Sequence, residues 1–360
     1  MKKNIENLRE YMKRNGVQAV LLSSFENVYY MSGFKAGGAG VSDARVIITE
    51  HEKYIITDSR YTTYTKSACS DFVLVEKSCN SISAAAEIIQ VHGIKKLAFE
   101  NKRILFSDFQ SYFMKLGAEL VPLNDTVEEM RIIKHEEEYK NIKKACEISC
   151  EALSRTLPYI KAGATEVEVA ARLEYNMRML GSEKTAFDTI VVSGAKSAMP
   201  HGMPDGKVIR SGDAVTIDFG AVYNGYCADM TRTFFVGTPC DELVKIYNTV
   251  FEAQKKALRG FKTDMKCYEL DRIARSHISD CGYGEFFGHS LGHGVGLEIH
   301  EAPSVSSRSD TVTQNGMVFS VEPGIYVEGL GGVRIEDLVT VIDGSIEILT
   351  AGIPKELTVL

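Results

Sequence analysis

The chain has 360 residues, 44% hydrophobic and 25% charged, a soluble composition long enough for two domains that each bury a core. A formal net charge of −7 with no lysine/arginine-rich tract argues against nucleic acid or an anionic membrane as partner. No apolar run spans a bilayer and the scattered charges of Met1 to Glu10 do not read as a signal peptide. Eight dispersed cysteines without a Cys-x-x-Cys fit reduced thiols in a cytoplasmic protein.

Ile5, Leu8 and Met12 predict a helix stopped by Gly16, followed by a strand over 17–22. Residues 45–49 and 54–58 read as a hairpin, and 72–75, 96–99 and 119–122 as further strands. Helical patterns at 82–91 and 105–116 separate them, so an α/β layer with a mixed sheet is expected. The glycines of Phe34 to Gly40 suit a mobile loop, a candidate for lining a cleft. His51 and His92 read as surface residues. Pro122 to Asp125 marks the boundary between domains 1–124 and 125–360, with Asp125 or Thr126 able to cap the segment after it. Ile142, Cys146, Cys150, Leu153 and Leu157 then recur at helical spacing, as in a connecting helix, with His135 solvated ahead of it.

The second domain contains a hairpin signal, Thr216 to Thr231, in which Asn224-Gly225 separates two runs of β-formers. With that pair as the turn, facing residues have numbers summing to 449, so Asp218 faces Thr231. Asp229 lies two residues from Thr231 on the same face, about 7–8 Å diagonally from Asp218. Two acids so placed are either solvated or share a cation. Gly316 to Gly324 repeats the pattern of Gly212 to Gly220 at an offset of 104, with Glu322 where Asp218 stands and Glu336 on the return strand. Two helical patterns of equal length, Thr165 to Gly181 and Lys266 to Gly282, repeat at an offset of 101. These repeats imply an internal duplication, each copy giving a helix, a strand hairpin and two carboxylates.

Four of the eight histidines, His201, His289, His293 and His300, fall in this region. His289 and His293 have the spacing of a helical zinc pair, but glycines at 288, 292, 294 and 296 favour a strand or loop. His277 sits in a helical repeat and reads as structural. Four carboxylates with one imidazole balance two divalent cations and suit manganese, cobalt or catalytic zinc. Two such metals about 3.5–4 Å apart can share a hydroxide, so the residues suggest a dinuclear metallohydrolase without naming the bond.

Pro200-His201-Gly202, Asp218-Phe219-Gly220, Asp229-Met230-Thr231-Arg232-Thr233, Gly292-His293-Gly294-Val295-Gly296, Ile299-His300-Glu301-Ala302-Pro303, Val321-Glu322-Pro323-Gly324 and Arg334-Ile335-Glu336-Asp337 together resemble the pita-bread metallopeptidases, in their aminopeptidase P and prolidase branch. The resemblance runs from about Thr126 to the C-terminus, and the α/β domain before it is similar to that branch's N-terminal domain. It implies an α+β pita-bread, creatinase/aminopeptidase-like catalytic domain with a pseudo-twofold duplication. By resemblance Asp218 binds one metal, Asp229 and Glu336 bridge two, and His293 and Glu322 complete the other, Glu322 also taking a proton from the bridging water. It also implies that His300 and His289 hold the substrate carbonyl, that His201 lines the substrate pocket, and that Arg334, with Tyr326, orients carboxylates. The implied reaction is hydrolysis of the amide between an N-terminal residue and a following proline, whose tertiary nitrogen ordinary aminopeptidases handle poorly. An Xaa-Pro aminopeptidase is the first reading and a dipeptide-restricted prolidase the alternative, with two divalent ions, most simply Mn²⁺ with Co²⁺ or Zn²⁺ also suited, and a homodimer. Methionine aminopeptidase, a metal-free creatinase-like amidinohydrolase, a non-catalytic binding module and a two-metal phosphatase are weaker fits.

Overall fold

The computed structural model describes residues 2–38, 40–76 and 81–360. They form two compact units, Met1–Met130 and Arg131–Leu360. The break read at 124/125 lies just ahead of the short helix Thr126–Arg131, most of which counts with the first unit.

The first unit is a mixed sheet of seven strands. Ala19–Ser24 pairs antiparallel with Val41–Thr49 on one side and parallel with Lys96–Phe99 on the other, and Glu119–Pro122 continues the parallel side. Leu21, Ile47, Ile56 and Leu97 are buried on the sheet against Ile88, Tyr112 and Leu116 of the flanking helical segments. Burying each such aliphatic side chain contributes roughly 1.5–3 kcal/mol, which is what holds helices of weak intrinsic stability in place. The helix Phe25–Ser32 escaped the sequence reading, although Ser24 caps it by accepting from the Asn27 amide and Gly33 ends it at a φ of 78°. In the 34–40 loop, Gly37 and Gly38 pair with Ser42 and Val41, while Ala39 lies outside the described residues.

In the second unit the duplication is larger than the sequence suggested. The helix Glu136–Thr156 packs on Glu166–Met179, and Asp241–Gly260 packs on Cys267–Asp280. Each half is therefore a helix pair against its own strands, and Glu136–Thr156 belongs to the repeat instead of serving as a connector. His135 precedes this helix as its N-cap residue, its amide bonded to Glu138 at 2.9 Å, so it is part of the helix start and not simply solvated. Leu153, Val169 and Leu173 bury against Ile217, Phe219 and Met230 in one core. Ile246, Val250, Leu270 and Ala274 bury against Phe319, Val321 and Val339 in the other. The first half's sheet runs Met230–Phe235, Ala214–Phe219, Ile190–Ser193, all antiparallel. The second half's sheet runs Glu301–Val305, Gly292–Gly294, Val318–Val321, Asp337–Ile342, Ser345–Ile348. The seven described cysteines are all free thiols.

Candidate active site

Asn224 and Gly225 both take positive φ, 47° and 79°, which is the turn their sequence announced. Tyr223 faces Tyr226 and Asp218 faces Thr231, in the register read from the sequence. Gly220 lies close against the returning arm of the hairpin, and a Cβ there would collide with the Ala228 carbonyl. In the second half Val321 faces Asp337, so one further pair along the same ladder sets Glu322 opposite Glu336. The repeat is inexact at this point: Thr231 holds the ladder place that Glu336 holds in the other half, and Asp229 lies two residues before it.

A cavity of about 580 Å³ collects the acids Asp218, Asp229, Glu322 and Glu336, the four candidate histidines, Tyr326 and Arg334, and Phe187, Ile190, Pro200 and Ile299 give it an apolar wall. Candidate ligand atoms of Asp229, His293 and Glu336 lie within 4.8 Å of one another. His293 Nε2 is 3.2 Å from Glu322 Oε1 and 3.5 Å from Asp229 Oδ2. The other ring nitrogen, Nδ1, sits 3.1 Å from the Gly294 carbonyl, to which only an N–H can donate. That contact makes Nδ1 a donor and turns Nε2 to the acids, where it donates to Glu322 while the ring is protonated and presents its lone pair once the ring is neutral. Gly294 lacks the Cβ that would meet the Ala302 carbonyl, so the strand carrying His293 can lie close against its neighbour.

Arg334 backs the carboxylates. Its Nη2 donates to Asp218 Oδ2 at 2.7 Å, its Nε to Thr231 Oγ1 at 3.1 Å and its Nη1 to Tyr326 OH at 2.9 Å. Thr231 Oγ1 in turn donates to Glu336 Oε2 at 2.7 Å. Asp218 Oδ1 and Glu336 Oε1 remain buried with no hydrogen-bond partner among the described residues. Burial, then repulsion from Glu336, Asp218 and Glu322, pushes the Asp229 carboxyl well above its ordinary range. Burial and the charges of Glu322 and Asp218 do the same to Glu336, and burial raises Asp218 more modestly against the pull of Arg334. Glu322 is the exception: burial opposes its ionisation, yet the bonded His293 holds it below the usual value. Buried oxygens without donors, on carboxyls driven to keep protons, are what a divalent cation would relieve, so these residues fit one.

His289 Nδ1 lies 2.8 Å from the Ser290 carbonyl and Nε2 3.0 Å from Tyr326 OH. Burial lowers the His289 pKa and pushes the Tyr326 hydroxyl up to about 12, so a neutral imidazole meets a protonated phenol. The His300 ring stands edge-on to His293 at 4.3 Å between centroids, kept neutral by burial and by that neighbour. His201 is exposed on the solvent side of the cavity.

Sequence reasoning missed Thr231 as a site residue, although the register that paired it with Asp218 put it on the acids' face. It also missed the apolar wall, because nothing distinguishes Phe187 or Ile190 from ordinary core residues before the chain is folded.

Residues 140–343 match the model of metallopeptidase family M24, and residues 4–133 match that of the creatinase/prolidase N-terminal domain. The chain belongs to metallopeptidase family M24. This M24 chain is 42% identical over 342 residues to an Xaa-Pro dipeptidase of Pyrococcus horikoshii, covering 95% of each. The solved Xaa-Pro dipeptidase of Bacillus anthracis matches it with a TM-score of 0.96 at 41% identity, over 100% of this chain and 99% of that one. The solved X-Pro aminopeptidase of Thermotoga maritima matches with a TM-score of 0.88 at 42% identity, over 96% and 98%. The M24 chain is thus a hydrolase of the pita-bread Xaa-Pro peptidase family, as its motifs implied, and membership implies divalent metal ions. No described helix is long and apolar enough to cross a membrane.

Proposed function

We propose that this M24 enzyme hydrolyses Xaa-Pro dipeptides using divalent ions held by Asp218, Asp229, His293, Glu322 and Glu336. The observation that carries the reading is the convergence of these five side chains on one cavity where two buried carboxylate oxygens have no donor. Relatives named Xaa-Pro dipeptidase along 95% or more of the chain support the dipeptidase over the aminopeptidase that the motifs suggested first. The donor set suits Mn²⁺, with Co²⁺ or Zn²⁺ able to replace it, and the resemblance supports a homodimer.

When bound, the ions supply Lewis acidity and an activated water. Glu322 Oε2, the oxygen that neither Ser320 nor His293 engages, accepts the proton of the attacking water and passes it to the departing proline nitrogen. His300, whose ring makes no hydrogen bond among the described residues, donates to the scissile carbonyl. Tyr326, whose hydroxyl proton lies on His289 Nε2, offers a second donor by turning that proton to the oxygen as its charge develops. The wall of Phe187, Ile190, Pro200 and Ile299 receives the proline ring beside His201.

One observation favours the aminopeptidase instead. A dipeptide presents a free carboxylate, yet the one guanidinium among the described residues lining the cavity, Arg334, is spent on Asp218, Thr231 and Tyr326. Release of the N-terminal amino acid from an Xaa-Pro dipeptide and an Xaa-Pro-Yaa tripeptide, with Mn²⁺ and after chelation, decides between them. Metal-dependent cleavage confined to the dipeptide is expected. Efficient tripeptide cleavage would make the enzyme an aminopeptidase, and no cleavage of either would remove the peptidase reading.

A further inference from the structure

Glu336 is clamped along its backbone as well as at its carboxylate. Its amide donates to the Thr231 carbonyl at 3.1 Å, and its own carbonyl accepts from Arg232 Nη1. Thr231 and Arg232 are neighbours on the first half's strand Met230–Phe235, while Glu336 belongs to the second half. Arg232 is fully buried, and its fork is saturated: Nη1 also donates to the Thr231 carbonyl at 3.0 Å, Nη2 to Asp337 Oδ1 at 2.9 Å and the Thr350 carbonyl at 3.0 Å, and Nε to the Ile353 carbonyl at 3.3 Å. Asp337 is saturated too, accepting from Arg232 and Thr350 on Oδ1 and from Gln254 and Lys355 on Oδ2. None of these groups reaches the cavity.

We propose that Arg232, Asp337 and Lys355 are positioning residues for Glu336, through which the C-terminal segment sets the affinity of the site for its metal ions. A planar guanidinium holds Glu336 only while its other donors stay anchored, and Asp337 is the one charged anchor. Lys355 supplies the second cation on that carboxylate, at a side chain 19% exposed, and so keeps Asp337 turned toward Arg232. Loss of Lys355 leaves Oδ2 without its cation, lets the carboxylate rotate and slackens the grip of Arg232 on the Glu336 carbonyl. The proposal rests on the reading of Glu336 as a metal-facing carboxylate.

Mn²⁺ titration of the full chain by calorimetry tests it, with Lys355→Gln, Lys355→Arg and Tyr247→Phe compared to wild type. Tyr247 OH donates to the Lys355 carbonyl at 2.9 Å, so Tyr247→Phe loosens the same segment without touching the charge on Asp337. Lys355→Gln is expected to raise the Mn²⁺ Kd about tenfold, the low end for a group supporting a metal ligand. KM at saturating metal is expected to stay unchanged, Lys355→Arg to recover most of the affinity, and Tyr247→Phe to bind as wild type although both variants melt earlier. Wild-type affinity in Lys355→Gln overturns the proposal, as does an equal loss in Tyr247→Phe, which would make the effect one of stability alone. Should Lys355→Gln fail to fold, Thr350→Val removes another donor to Asp337 and is read in the same way. A wild type that binds no Mn²⁺ would instead overturn the reading of Glu336.

Discussion

Thr231 joins two carboxylates that belong to different halves of the duplication. It sits opposite Asp218 in the ladder, donates to Glu336 and accepts from Arg334. Thr231→Val keeps the shape and removes the hydroxyl, leaving the Arg334 Nε and Glu336 Oε2 without their partner. A loss of roughly tenfold in metal affinity is expected, with turnover falling in step, measured by Mn²⁺ titration and steady-state kinetics. His201 behaves differently because it lines the cavity from the exposed side and touches none of the acids. His201→Ala should retain full metal content by elemental analysis while kcat/KM falls at least tenfold; a loss of metal would place it among the ligands.

At the scale of elements, the two hairpins fix where the acids point, and glycine sets the geometry for separate reasons at separate places. Gly225 supplies a left-handed turn residue, so Gly225→Ala should cost about 1 kcal/mol and leave the site intact. Gly220 is needed for a close approach of backbone to backbone, so Gly220→Ala should cost at least ~3 kcal/mol and lower metal occupancy by forcing the strands of Asp218 and Asp229 apart. Urea unfolding of the two variants checks both figures. The turn between His293 and His300 is held in another way, by Glu301, which is buried between Arg131 and Lys134. Burial opposes its charge, but the two cations hold its carboxyl below the ordinary range. Glu301→Gln should therefore destabilise by ~3 kcal/mol, since buried Lys134 loses its counter-charge and Arg131 keeps only Glu298.

For the molecule as a whole, these shifts predict how pH and metal share the stability. Asp218, Asp229 and Glu336 have carboxyls raised above their unfolded values of 3.8 and 4.5. Their contribution is fully present below those values and is lost as pH rises through the folded ones. Glu301 and Asp337 are depressed, so their contribution is present above the unfolded values and lost as pH falls through the folded ones. The chelated protein should thus be most stable in mildly acidic solution and weaken toward neutrality, where the cluster must ionise without a counter-ion. Mn²⁺ reverses that loss and releases protons on binding. The difference in Tm between Mn²⁺-loaded and chelated protein should widen from pH 5 to pH 8; a constant difference would mean that the acids do not face the metal.

Much of this site could be read before folding because its parts are local. A two-residue turn has its own stereochemistry and a strand a period of two, so Asn224-Gly225 set the register that paired Asp218 with Thr231. The repeated glycine, strand and acid likewise exposed the duplication, and the glycines around His293 favoured a strand or loop over a helix, of which the structure forms the strand. Other features were hidden because they join residues far apart in the chain through packing, which no spacing records. The helix Glu136–Thr156 looked like a connector until its partner Glu166–Met179 was seen against it. Arg232 sat in plain view within a motif, yet its anchors at Glu336, Asp337, Thr350 and Ile353 lie more than 100 residues away. Side-chain chemistry and local periodicity thus determined which groups could hold a cation. The packing of one half's sheet against the other's decided that they meet, what backs them, and which apolar residues wall the cavity.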